Sequence, residues 1–241
     1  MDAFVTLDDG TAVWTTSSGS GPPALFLNGG PGMADYLGPV ARLLGEDLRA
    51  HRYEQQGCGR TQSEGPFSLA TFVSDIEARR SQWGYRQWYV MGHSWCVDLA
   101  LAYALHYRAS VIGLIGLAGG RVHNDRSWKR HYEENKHRET LPPAASEPNL
   151  AVNRSLNDDW KLFCQRPTLL RDLAALTIPT LFVYGEDDIR PSWPTEQISE
   201  LMPAAEFRRI PGADHHLWQH KPGELKRAIA DFLTSTSATK D

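Results

Sequence analysis

Ser94 lies in Gly92-His93-Ser94-Trp95-Cys96, between an apolar run that reads as a strand (Gln87 to Met91) and an Ala- and Leu-rich run that reads as a helix (Trp95 to Tyr107). A serine on so sharp a strand-to-helix turn presents its hydroxyl at the C-terminal edge of a sheet, with the positive end of a helix dipole beneath it. A hydroxyl is a weak nucleophile near neutral pH, so a base must lie within reach, and histidine, with a pKa of about 6.5, suits that task. Pro211-Gly212-Ala213-Asp214-His215 follows a strand-like run and supplies the base, His215, with His216 as the neighbouring alternative. Tyr184-Gly185-Glu186-Asp187-Asp188 ends another such run, where Asp188, or else Asp187, would hold the imidazole in one tautomer and stabilise its cation. Each motif alone has an ordinary reading: a serine N-cap, solvated loop carboxylates, a surface histidine pair. Three of them, each at a strand end and in the order Ser, Asp, His, select nucleophilic acyl transfer.

A tetrahedral intermediate would need two amide donors, expected from Trp95 and from Gly30 in the loop Asn28-Gly29-Gly30-Pro31-Gly32. Glycine lets that backbone approach a ligand closely, and Pro31 has no N–H to offer. Trp128, Trp160, Trp193 and Trp218 are expected to wall a pocket for a hydrophobic or cyclic acyl group, and packing of the core competes for the same side chains. Cys96 stands where the elbow motif expects glycine and is expected to pack away from the substrate.

These residues must be carried by alternating elements. Phe4 to Leu7 and Ala12 to Ser17 flank Asp9-Gly10 as an opening hairpin. Strands are expected at Pro23 to Leu27, Leu48 to Tyr53, Gln87 to Met91, Val111 to Leu117, Thr180 to Tyr184 and Glu206 to Ile210. Helices are expected at Tyr36 to Leu44, Ser68 to Trp83 with Ser68 as N-cap, Trp95 to Tyr107, Thr195 to Met202 and Pro222 to Leu233, with Thr234 to Asp241 frayed. This alternation predicts an α/β fold, a mainly parallel sheet flanked by helices. Residues 121–171 break it: a charged run, Trp128 to Glu134, then Leu141-Pro142-Pro143, and no strand candidate, so a short inserted helical lid is expected between core segments 1–120 and 172–241.

The 241 residues carry a net charge of −4 and 22% charged side chains, an ordinary balance that calls for no nucleic acid. No apolar run approaches the roughly 18 to 20 residues of a membrane span, and Met1 to Gly10 lacks the pattern of a secretory signal, so cytoplasmic residence is expected. Three widely spaced cysteines, Cys58, Cys96 and Cys164, read as free thiols. HExxH is absent, and no metal site is expected.

Together these motifs resemble the proline iminopeptidase family of α/β-hydrolases over nearly the whole chain, with gaps. Asn28-Gly29-Gly30-Pro31-Gly32 is similar to that family's HGGPG, Tyr53-Glu54-Gln55-Gln56-Gly57-Cys58-Gly59-Arg60-Thr61 to its YDQRGCGRS, and Gly92-His93-Ser94-Trp95 to its GGSWG. The resemblance implies the α/β-hydrolase fold, a triad of Ser94, Asp188 and His215, an oxyanion hole of Gly30 and Trp95, and no cofactor. Members that are peptidases hold an N-terminal ammonium with lid glutamates, one of which follows a tryptophan; no Trp-Glu pair occurs in this chain. The expected activity is therefore cleavage of an ester, lactone or amide of a small, hydrophobic or cyclic molecule through an acyl-enzyme, with aminopeptidase action as the alternative. A low-turnover binding protein or receptor on the same fold is the alternative from another class, and a lyase using His215 as a plain base would share every residue.

Overall fold

The structure, a computed structural model, describes residues 2–7, 10–122, 126–140, 142 and 147–238. Its eight strands form one sheet in the order β1-β2-β4-β3-β5-β6-β7-β8. β1 (Asp2–Thr6) and β2 (Ala12–Ser18) pair antiparallel, as does β2 with β4 (Arg49–Tyr53). From β4 onward neighbours run parallel: β3 (Pro23–Leu27), β5 (Trp88–His93), β6 (Val111–Leu117), β7 (Thr180–Gly185) and β8 (Ala205–Ile210). Their C-terminal ends therefore share one edge, the edge at which an open α/β sheet carries its ligand site.

The two faces of the sheet follow from period-2 alternation. Leu25, Leu27, Trp88 and Val90 join one apolar cluster with α2 (Leu69–Gln82) and α3 (Trp95–His106), while Ala24, Phe26, Tyr89 and Met91 join another with α1 (Gly38–Leu43). Ser68 caps α2 as expected, its Oγ accepting the Thr71 amide at 3.0 Å. Helix α7 (Trp193–Leu201) begins two residues earlier than expected because Pro194 fits a first helical turn, where a missing N–H is harmless.

Two expectations need correction. The final helix, α9 (Pro222–Ala238), does not fray at Thr234: Thr236 is buried, and the hydroxyls of Thr234, Ser235, Thr236 and Ser237 each return to a carbonyl three or four residues earlier. The polar tail thus satisfies itself within the helix; residues 239–241 lie outside the described residues. The segment expected as a lid is also uneven. Its first helix, α4 (Arg126–Asn135), buries nothing, whereas α5 (Leu150–Cys164) buries Val152, Leu156, Trp160 and Phe163 in the same cluster as α2 and α3. The short α6 (Leu169–Ala174) runs across the expected boundary at 171, and α8 (Leu217–His220), ahead of α9, adds to the expected helices. No helix among the described residues is long and apolar enough to cross a membrane.

Candidate active site

β5 runs straight into Ser94, whose φ of 54° and ψ of −128° lie in a region sparsely populated by side-chain-bearing residues, and α3 starts at the next residue. The surroundings hold this strained turn. The Ser94 amide donates to the Leu117 carbonyl at 2.8 Å, tying the elbow to β6, and the Ser94 carbonyl accepts from Val97 at 3.0 Å. A Cβ on Gly92 would stand 2.3 Å from the Cys96 carbonyl oxygen, and one on Gly119 2.0 Å from that of Ser94, so both positions must be glycine. Position 96 differs, because its side chain points away from the turn. Cys96 is fully buried and its sulfur accepts the Gln55 amide at 3.4 Å, which is how a sulfur replaces the motif's second glycine. Burial pushes the Cys96 and Cys58 thiols up, the latter to about 12, so neither is a ready thiolate.

Asp188 follows β7 and His215 follows β8. His215 Nε2 lies 3.0 Å from Ser94 Oγ, and His215 Nδ1 lies 2.7 Å from Asp188 Oδ2. Burial alone would raise the Asp188 carboxyl, but the charge of His215 and the Arg190 guanidinium outweigh it and hold it below the usual carboxylate range. An ionised Asp188 must accept from Nδ1–H, which leaves Nε2 as the acceptor for the serine proton. Of the alternatives, Asp187 is exposed, and His216 is buried beside Tyr36 and Trp218, 6.5 and 5.4 Å away between ring centroids, with Nδ1 lacking a hydrogen-bond partner.

The glycine-rich loop after β3 is fixed from both sides. Asn28 Nδ2 donates to the carbonyls of Met33 and Ala34, at 3.3 and 3.1 Å, closing the loop on itself. Helix α5 clamps it from above, with Asn149 N donating to Gly32 at 2.9 Å and Asn153 Nδ2 to Pro31 at 3.0 Å. Gly29 presses on the elbow so closely that a Cβ there would lie 2.5 Å from Ser94 Cβ. The Gly29 amide is engaged by the Tyr36 hydroxyl at 2.7 Å, leaving the next amide, that of Gly30, as the loop's candidate oxyanion donor. The stretch after β4 supports this loop from behind. Buried Glu54 accepts from the Asp35 amide at 3.1 Å and from Arg60 Nε and Nη2 at 3.0 and 2.7 Å, while Gly59 leaves room for its carboxylate.

The tryptophans divide. Trp95 is nearly buried at the start of α3, and Trp193 is half-buried at the start of α7. Trp160 is a core residue stacked on Phe163, its indole N–H donating to the Arg121 carbonyl at 3.0 Å. Trp218 is buried behind the site, stacked on Tyr36 and edge-on to His93. Trp128 donates to the Pro191 carbonyl at 3.1 Å with the Arg121 guanidinium 3.8 Å above its ring. The cavity of about 260 Å³ beside His215 has none of these tryptophans in its lining; Glu139, Thr140, Asp187, Ile189, Arg190 and Asp214 are among the residues that form it.

Two of those residues, Arg190 and Glu139, and two behind the triad carry no signal of their role in the sequence. Arg190 bonds Glu139 and stands 3.5 Å from Asp188 Oδ1, while Glu139 also accepts the Tyr132 hydroxyl at 2.7 Å. The segment after α4 is thereby fastened to the loop of the acid. Tyr36 and His93 meet beneath the elbow, although by sequence the first is only a helix residue and the second the variable letter of the motif. By contrast, Glu133 is exposed and paired with Lys136 at 2.7 Å, and Glu134 is exposed. Among the described residues no group of three His, Cys, Asp or Glu side chains is placed to hold a metal ion.

Residues 22–143 match the family described as alpha/beta hydrolase fold. A proline iminopeptidase of Heyndrickxia coagulans is 26% identical over 90% of this chain and 92% of its own length. One from Thermoplasma volcanium is 38% identical, but over 40% of this chain and 34% of the relative, so several of these likenesses span only a third to a half of the relative. Among solved structures, an esterase of Thermogutta terrifontis superposes with a TM-score of 0.74 at 20% identity, covering 98% of this chain and 99% of that one. The proline iminopeptidase of Mycobacterium smegmatis superposes with 0.77 at 18% identity over the full length of both. At such identity the likeness shows the fold.

Proposed function

We propose, for a chain that belongs to the α/β-hydrolase family, that it is a serine hydrolase whose nucleophile is Ser94, with His215 as general base and Asp188 as the acid that orients it. The observation that carries this reading is the imidazole of His215, in hydrogen-bond reach of Ser94 Oγ on one side and Asp188 Oδ2 on the other. Ser94 attacks a carbonyl as its proton passes to Nε2, and Asp188 stabilises the imidazolium. The oxyanion is received by the amides of Trp95 and Gly30. His215 then protonates the leaving group, and water attacking with His215 again as base frees the acyl group.

The substrate is a small uncharged ester, lactone or amide, reached under a cover to which α4 and Glu139 belong. An ammonium taken into a dry site needs an unpaired carboxylate, because a buried lone charge costs several kcal/mol. Glu133 is matched by Lys136 and Glu139 by Arg190, so neither of these two carboxylates presents a ready partner. The second reading, an aminopeptidase, is favoured by the relatives whose names say proline iminopeptidase.

Exposure to a fluorophosphonate, followed by mass spectrometry of the digested protein, tests the mechanism. The adduct is expected on Ser94, and an unlabelled native protein points to a receptor or inactive relative. The substrate is tested by kcat/KM for a prolyl arylamide against an N-capped analogue with the same leaving group. Preference for the capped form is expected; a strong preference for the free amine, lost in Glu133→Gln or Glu134→Gln, restores the aminopeptidase reading.

A further inference from the structure

Tyr36 and His93 lie between the glycine-rich loop and the base, and neither has a part in the mechanism above. His93 is fully buried beneath Ser94, with its ring centroid 4.7 Å from that of His215 and 4.9 Å from that of Trp218. Its Nδ1 lies 2.6 Å from the Tyr36 hydroxyl and its Nε2 3.0 Å from the backbone carbonyl oxygen of His215. The direction of each bond is dictated by one atom. A carbonyl only accepts, so the hydrogen of a neutral His93 sits on Nε2 and Nδ1 must accept. The Tyr36 hydroxyl therefore donates to Nδ1, and its oxygen remains free to accept the Gly29 amide at 2.7 Å. The result is one continuous chain: Gly29 N–H to Tyr36 oxygen, Tyr36 O–H to His93 Nδ1, His93 Nε2–H to the His215 carbonyl.

A protonated His93 would break that order, since both ring nitrogens would donate and the Tyr36 hydrogen would lose its acceptor. Burial first, then the charges of His215, His216 and Arg190, hold the His93 imidazole well below its ordinary pKa and keep it neutral. The chain also reaches the two places where catalytic geometry is set. Gly29 adjoins the candidate donor Gly30 and touches Ser94, and the His215 carbonyl belongs to the base itself.

We propose that Tyr36 and His93 are positioning residues that hold the oxyanion loop and the base at a fixed spacing through this hydrogen-bonded chain. The proposal rests on the reading of Ser94, His215 and Asp188 as a triad. Loss of a link strands a buried donor and a buried acceptor, and the easiest relief is movement of the Gly29 loop or of the His215 backbone. Such movement weakens transition-state contacts while ground-state binding is retained, so kcat falls and KM holds.

The test compares Tyr36→Phe, His93→Phe, the double variant and His93→Gln, in rate on p-nitrophenyl acetate and in thermal unfolding. His93→Gln keeps one acceptor and one donor at the spacing of the imidazole nitrogens, so it is the conservative control. Tyr36→Phe and His93→Phe are each expected to lower kcat by about 10- to 100-fold with KM within about 3-fold, and the double variant to be no more than about 3-fold worse than either. His93→Gln is expected to recover most of the rate. Parent-like kcat in the Phe variants, a loss confined to thermal stability, or losses that multiply would overturn the proposal. The bond order is read without turnover by ¹⁵N NMR of the His93 ring. Nε2 is expected to carry the proton, with Nδ1 shifting toward an undonated nitrogen in Tyr36→Phe, and the opposite tautomer overturns the chain. Failure of the fluorophosphonate to label Ser94 removes the triad, and the positioning role with it, while the NMR measurement decides the hydrogen-bonded chain independently of the triad.

Discussion

The elbow region carries Ser94, and the arch formed by α4 and Glu139 reaches Asp188 through Arg190, yet the two are built on opposite principles. At the elbow, Gly29, Gly92 and Gly119 let three backbone segments approach within distances that no Cβ tolerates, and the polar groups of Asn28, Tyr36 and His93 are buried and matched. The arch has no buried residue on α4 and is held by ion pairs, cation–aromatic contacts and single hydrogen bonds: Arg190 to Glu139, Arg121 over Trp128, Tyr132 to Glu139. Rigidity near the nucleophile comes from packing and backbone satisfaction, which are costly to disturb. Attachment of the cover comes from partly exposed charges, each worth little. On the function proposed above, the difference separates a part that holds atoms in place from a part that would admit a substrate.

The sharpest way to break the comparison is at its centre. Ser94→Ala and His215→Ala are each expected to abolish most ester hydrolysis, with single losses as large as roughly 10⁶-fold and far from additive in combination, because the pair acts as a unit. Thermal unfolding should change little in Ser94→Ala, since the turn is held by backbone bonds. Survival of activity in His215→Ala with loss in His216→Ala would move the base by one residue.

Next in size is the contrast between two adjacent glycines. In Gly29→Ala the new methyl meets Ser94 Cβ and the His93 carbonyl oxygen at 2.5 and 2.6 Å, neither of which can yield without moving the elbow. A stability loss of about 1 to 3 kcal/mol is expected from such overpacking, together with a large loss of rate. In Gly30→Ala the methyl meets the Met33 sulfur, the end of a flexible side chain, although φ of 68° still strains it. Chemical denaturation of the two should rank Gly29→Ala as the more damaged; the reverse order would mean that the loop, not the elbow contact, sets the geometry.

At the arch the effects shrink. Burial raises the Glu139 carboxyl but Arg190 and the Tyr132 hydroxyl outweigh it, so its pKa is below the ordinary 4.5. A depressed carboxylate stabilises the fold above its unfolded value, and that contribution disappears as pH falls from about 4.5 through the folded pKa. Glu139→Gln should therefore cost about 1 kcal/mol or less at pH 7, allowing for solvent screening, and nothing once the parent is acidified past that range. Paired melting curves at pH 7 and below 4 check the convergence. The rate should fall only a few-fold, because Asp188 keeps the Arg190 amide and its bond to His215.

The smallest effect belongs to Glu133→Gln. Glu133 is exposed, and its bond to Lys136 lies within the cover's own surface. Its melting temperature and its kcat/KM on uncharged esters should match the parent, and a specific loss on free-amine substrates alone would contradict the ester reading.

The order of the strands and of the helices α1, α2, α3, α7 and α9, the strand-end placement of Ser94, Asp188 and His215, the capping serine of α2 and the glycine-rich loop were all legible in the sequence. Each is encoded locally, by a period of two or 3.6, a turn residue or a cap. What tertiary structure decided was which surfaces met. Only packing shows that α5 belongs to the core while α4 does not, since both have helical spacing but just one presents its stripe to α2 and α3. Composition made Trp160 and Trp218 candidates for a pocket wall; the fold buried the first in the core and the second behind His93. The partners of Tyr36 and Glu139 were invisible for the same reason. Tyr36 meets His93 across 57 residues, Arg190 meets Glu139 across 51, and His93 meets His215 across 122. A hydrogen bond depends on two atoms reaching one point in space, and separations of that length leave no mark on the spacing of residues along the chain.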